Sequence, residues 1–136
     1  MLDKQAIFVY NKTNKERKMA NTFKTVTVAG VTSETTVYTA AGSVVATIVL
    51  GLMVGNTTSS QVTTTVSLDS DTASRPPSGT NSGANAKVEL VTNAPIPSGS
   101  TLELLAGNKV VLEDTDSITV TGSGAVDVAL SIMEIT

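Results

Sequence analysis

The chain has 136 residues, a formal net charge of −3 and 40% hydrophobic residues, with two Phe, two Tyr and no Trp, Cys or His. That length fits one domain with a real core, and the scarcity of rings makes the core aliphatic. No disulfide or thiolate chemistry is possible, and the commonest general base and transition-metal ligand is missing.

Residues 1–18 differ from the rest. Lys4, Lys12, Lys15, Arg17 and Lys18 stand against Asp3 and Glu16, a net of +3 that leaves −6 for the remainder. The apolar run Ala6 to Tyr10 is short and followed by charge, unlike a signal peptide. Met19 offers a second start, so 1–18 reads as a basic extension, disordered or untranslated, and 19–136 as the domain. An acidic body repels nucleic acid, and no direct nucleic-acid partner is expected.

From Phe23 onward, short β-prone runs alternate with turn-rich gaps, and no stretch carries a sustained helical period. About eight strands are expected, over 23–28, 35–39, 44–54, 61–68, 86–92, 101–105, 109–113 with 117–121, and 125–135. In the fourth, Val62, Val66 and Leu68 share a face with Thr64, opposite Thr63, Thr65 and Ser67. In the last, Val126, Val128, Leu130 and Ile132 share a face, and a bulge or a change of partner is expected where Met133-Glu134-Ile135 reverses the polarity. Pro95 to Gly99 reads as an extended turn; Gly107-Asn108 and Gly122-Ser123-Gly124 read as hairpin turns. The fold expected is an all-β antiparallel sandwich, jelly-roll or immunoglobulin-like, with a long exposed Ser/Pro/Gly-rich loop at 69–85.

The run 44–54 is apolar on both faces but too short for a membrane helix, so no membrane association is expected. One face belongs to the core; the other, with Val45, Val49 and Met53, is a candidate subunit interface. Arg75, Pro76 and Pro77 in the long loop are further interface candidates, as is the basic extension. Glu113, Asp114 and Asp116 read as a charged turn; a cation site lacks the spacing and glycine of a known calcium loop. No Ser or Thr has a His partner, there is no nucleophile elbow and no phosphate-binding glycine loop, so no catalytic residue, metal or cofactor is assigned.

Four stretches resemble small virion structural proteins of tailed bacteriophages, particularly phages of marine bacteria and cyanobacteria. They are Phe23 to Thr27 with Thr36 to Thr39, Gly51 to Thr57, Pro95 to Leu102, and Val126 to Ile135. The extension and the long loop depart from that pattern. The resemblance implies a scaffold and no active site: a head-decoration, neck or tail accessory subunit made in the host cytoplasm, binding copies of itself and other virion proteins. Two rivals come from other classes. One is a glycan-binding module of a fibre or extracellular protein using Tyr38, and the other a hydrolase using two of Glu103, Glu113, Asp114 and Asp116.

Overall fold

The computed structural model describes residues 20–70 and 87–136. They form nine strands: β1 (Asn21–Val31), β2 (Thr35–Thr39), β3 (Ala46–Gly55), β4 (Val62–Asp69), β5 (Lys87–Ile96), β6 (Thr101–Leu104), β7 (Val110–Leu112), β8 (Ser117–Gly122) and β9 (Val126–Ile135). The chain is all-β, as its Thr- and Val-rich runs require. Arg75, Pro76, Pro77 and the basic extension lie outside the described residues.

One sheet, here sheet A, has the order β1-β9-β3-β6, with β7 also paired to β3; sheet B has the order β2-β8-β4-β5. Every pairing is antiparallel. The first strand lies beside the last, and only the β4–β5 and β6–β7 connections stay within one sheet. This is the strand order of a jelly roll, which resolves the choice left open with the immunoglobulin arrangement. Val49, Leu52, Leu112, Leu130 and Ile132 from sheet A meet Val66, Ile96, Ile118 and Val120 from sheet B in a core without a fully buried ring.

Two expected hairpins are corrected. β6 and β7 both pair with β3, β6 along Leu52–Gly55 and β7 along Thr47–Val49, so residues 105–109 interrupt one edge rather than reverse the chain. Leu105 and Gly107 there have φ of 63° and 90°. The turn after Gly122 links sheet B to sheet A and makes no hairpin either. A Cβ on Gly122 would lie 2.5 Å from the Gly124 carbonyl oxygen and 2.6 Å from that of Val31, so only glycine fits this corner. The expected seventh strand is likewise two: β7 and β8 belong to different sheets, and the turn Glu113–Asp116 separates them.

A bulge in β3 decides which side chains face the core. Val49 pairs with Ile132 and Gly51 with Ser131, leaving Leu50 as the extra residue. Before the bulge Thr47 and Val49 point inward; after it Leu52 and Val54 do. Val49, grouped with Val45 and Met53 as an interface candidate, is therefore 0% exposed and part of the core. Strict alternation fails because one extra residue moves every later side chain to the opposite face. β9 carries no such break at its end. Its register with β1 is continuous from Val28↔Val128 to Asn21↔Ile135, so Glu134 stays in phase with Ile132 on the inner face.

Candidate assembly surfaces

The outer face of sheet A carries a row of large apolar side chains beside polar ones such as Thr25, Thr27 and Asp127. Phe23 pairs with Met133, Met133 with Ile48, and Ile48 with Val111, which sets one row of large apolar side chains across β1, β9, β3 and β7. Phe23 is 69% exposed and Val111 57%. Val45, just before β3, is also exposed, as is Met53 further along it. These two candidates stand on the surface, and Val49 does not.

Small residues dominate the far half of the same face. Gly51, Ala129 and Ser131 floor a groove of about 350 Å³ with Leu50, Met53 and Glu103 on its sides. Ala29, Met53, Gly55 and Ala129, with the polar Thr27 and Asp127, line a second hollow of about 420 Å³ beside β1. Side chains this small leave depressions with partly apolar floors, from which a neighbouring apolar surface would displace water favourably.

The outer face of sheet B is of another kind. Thr65, Ser67 and Thr121 floor a polar hollow bordered by Glu34, Lys87 and Glu89. Lys87 pairs with Glu34, and Thr65 accepts a hydrogen bond from the Asn93 amide. Polar groups on this side pair with one another.

At the open end of the interior, Tyr38 of β2 joins the sheets. Its hydroxyl donates to Glu134 Oε1 at 2.9 Å and accepts from Thr47 Oγ1 at 2.9 Å. Lys24 Nζ closes the set at 2.5 Å from Glu134 Oε2. The Lys24 hydrogen bond holds the Glu134 carboxyl below its ordinary pKa against a smaller opposing effect of burial. Burial pushes the Tyr38 hydroxyl up, the Thr47 bond opposes this, and Glu134 adds to it. The inner face turns polar here without changing phase. Tyr38, the residue expected to sit in a glycan groove, is occupied in this network.

The acidic turn has a structural task. Asp116 is 1% exposed, and its carboxylate accepts from the Glu113 amide at 2.9 Å. Its backbone carbonyl accepts from Ala40 N, while Thr115 N donates to Ala40 O, which ties the turn to the end of β2. Glu103 lies apart, on the sheet A groove. Among the described residues no three His, Cys, Asp or Glu gather where they would hold a metal ion.

Asn56 was not singled out in the sequence, yet it joins two of the stretches quoted there. Its side chain is buried, donating to Ser60 O at 2.7 Å and Ile96 O at 2.9 Å and accepting from the Thr58 amide and hydroxyl. Its backbone exchanges hydrogen bonds with Gly99 and Ser100. The signal available in the sequence was an Asn followed two residues later by Thr at a strand end, the pattern of an Asx turn.

No protein-family model matches the chain, and no curated protein sequence matches it. Among solved structures, a chain described with Bacillus endospore appendages, a novel family of disulfide-linked pili, is similar at 10% identity and a TM-score of 0.43, over 89% of this chain and 91% of that one. The present chain has no cysteine. Among the described residues no helix is long and apolar enough to cross a membrane.

Proposed function

We propose that this chain is a non-catalytic structural subunit that works by packing against copies of itself through the outer face of sheet A. One observation carries the reading: the row Phe23–Met133–Ile48–Val111 lies on the outside of a sheet whose inner face already supplies the core. Four strands about 4.8 Å apart and ten residues long at about 3.3 Å each give a footprint of roughly 600 Å². Side-chain relief brings such a face toward the roughly 800 Å² per partner of a standard interface. A second copy is the fitting occupant because one face then supplies both halves of the contact: the large side chains of one copy meet the small-residue floor around Gly51 and Ala129 of the other.

The setting we propose is the particle of a tailed phage, with other virion proteins as further partners. The support is the quoted motifs, which fall on β1, β2, β9 and the Asn56-linked turns, the parts that make the scaffold. Light scattering of the full chain tests the assembly. A discrete oligomer that Met53→Lys with Ile48→Lys reduces to folded monomers supports it; a wild-type monomer at every concentration overturns it.

A further inference from the structure

Peroxide chemistry finds few targets in this chain. There is no Cys, Trp or His, and four methionines carry its only sulfur. Met1 and Met19 lie outside the described residues. The other two, Met53 and Met133, both stand on the outer face of sheet A, and among the described residues the core holds no methionine. The oxidisable sulfur is thus parted from the core and placed on the surface assigned to assembly.

Met133 of β9 is half-buried between Phe23 and Ile48 in the row of large apolar side chains. Met53 of β3 is 44% exposed, lies between Ala129 and Glu103 across the strands, and with Ala129 borders both hollows of the face. A thioether is a flexible apolar filler. Its sulfoxide is polar and chiral, and the added oxygen needs a hydrogen-bond donor once water is removed. The cross-strand side chains supply none: Ala129 and the Glu103 carboxylate beside Met53, Phe23 and Ile48 beside Met133.

We propose that Met53 and Met133 are an oxidative modification site: a peroxide converts the free subunit into folded protein that no longer packs against copies of itself. The proposal rests on the assembly reading and adds a regulation to it. In the step, a sulfur lone pair attacks one oxygen of hydrogen peroxide, the O–O bond breaks and an S–O bond forms. The departing hydroxide takes up the remaining peroxide proton and leaves as water. The sulfur is oxidised and the peroxide reduced, with no further reactant. In the assembled state a second copy covers both thioethers, so the free subunit is the form that reacts. Each sulfoxide buried without a donor is expected to raise the dissociation constant of the contact about tenfold or more. The fold is untouched, because neither sulfur belongs to the core. Reductases that act on methionine sulfoxide return the thioether.

The test treats the full chain with hydrogen peroxide in dilute solution, removes the peroxide, reconcentrates the protein and applies light scattering with peptide mass mapping. Expected is a monomer carrying one added oxygen at each of Met53 and Met133, with an unchanged denaturant midpoint, and return of the oligomer after treatment with methionine sulfoxide reductases. Met53→Leu with Met133→Leu keeps the face apolar and removes its sulfur, so that oligomer is expected to survive the same treatment. An oligomer that persists with both residues oxidised overturns the proposal, as does an oxidised chain that unfolds. A Leu variant that loses its oligomer on oxidation also overturns it, because the sensitive group then lies elsewhere. The face contact itself is read from the rate of the reaction. In concentrated solution Met53 is expected to oxidise about tenfold more slowly than in dilute solution, with free methionine as the reference, because assembly leaves few free subunits. An untreated chain that stays monomeric, or an oligomer whose Met53 reacts at the dilute rate, removes the face contact and the proposal together. A protected Met53 whose sulfoxide is tolerated removes the proposal alone.

Discussion

The two outer faces of this sandwich are built from sheets of similar size, yet they meet water on different terms. Sheet B covers itself with Thr65, Ser67 and Thr121 and borders them with Lys87 and Glu34 in an ion pair. Sheet A shows Phe23, Ile48, Met133 and Val111 in one row and a floor of Gly and Ala beyond it. Both inner faces contribute to one core, so folding alone does not call for a second apolar surface on sheet A. The difference teaches that a row of apolar side chains left outside once the core is accounted for marks a candidate association surface rather than a source of folding stability.

Substitutions along β3 sharpen this contrast most. Val49→Lys places an ammonium in the core and is expected to cost about 4 kcal/mol or more, enough to unfold a marginal domain, as read by denaturant unfolding. Next in size, Asn56→Ala removes the donor to Ile96 O and the acceptor of the Thr58 amide, while Ser60 O keeps the Thr58 hydroxyl as its donor. A loss of about 2 to 4 kcal/mol is expected in the same measurement, with assembly by the remaining folded protein intact. The outer faces themselves are compared by paired variants. Ile48→Lys with Met53→Lys is expected to change folding stability by only about 0.5 kcal/mol per site while abolishing the oligomer, whereas Thr65→Lys with Thr121→Lys leaves the oligomer size unchanged in light scattering. If the sheet B pair dissociates the oligomer and the sheet A pair does not, the assignment of the faces is reversed.

The smallest effect concerns pH. Glu134 is held below its ordinary pKa by Lys24, so its ionised form stabilises the fold. That contribution is whole above the ordinary carboxylate value and is lost as pH falls through the lowered folded value. Because Lys24 is half exposed, under about 1 kcal/mol is expected. Unfolding midpoints of the wild type should fall on acidification more than those of Glu134→Gln, and parallel curves would show that the pair carries no stability.

Much of this was legible along the chain. Period-two patterns in β4 and β9 specified their inner faces because a half-buried strand has only two sides: Val62, Thr64 and Val66 turn inward, as do Val126, Val128, Leu130 and Ile132. The absence of helical periodicity and the density of Thr and Val specified an all-β chain. Val45 and Met53 were legible as surface apolar residues, while Val49 was not. Its face depends on the extra residue at Leu50, and a bulge exists only relative to the partner strand β9. The turns at Gly107 and Gly122 were visible as turns, but whether they reverse a strand, prolong an edge or switch sheets depends on where the next strand finds its partner.

The sequence by itself thus determined the class of structure, the alternation within unbroken strands and the lack of the usual nucleophile and base pairings, because each follows from local residue chemistry. The jelly-roll order, the inward turn of Val49 and Glu134, the Asn56 cross-link and the row Phe23–Met133–Ile48–Val111 were decided only in three dimensions. Each joins residues tens of positions apart, and antiparallel register between distant strands is set by the simultaneous burial of both sheets.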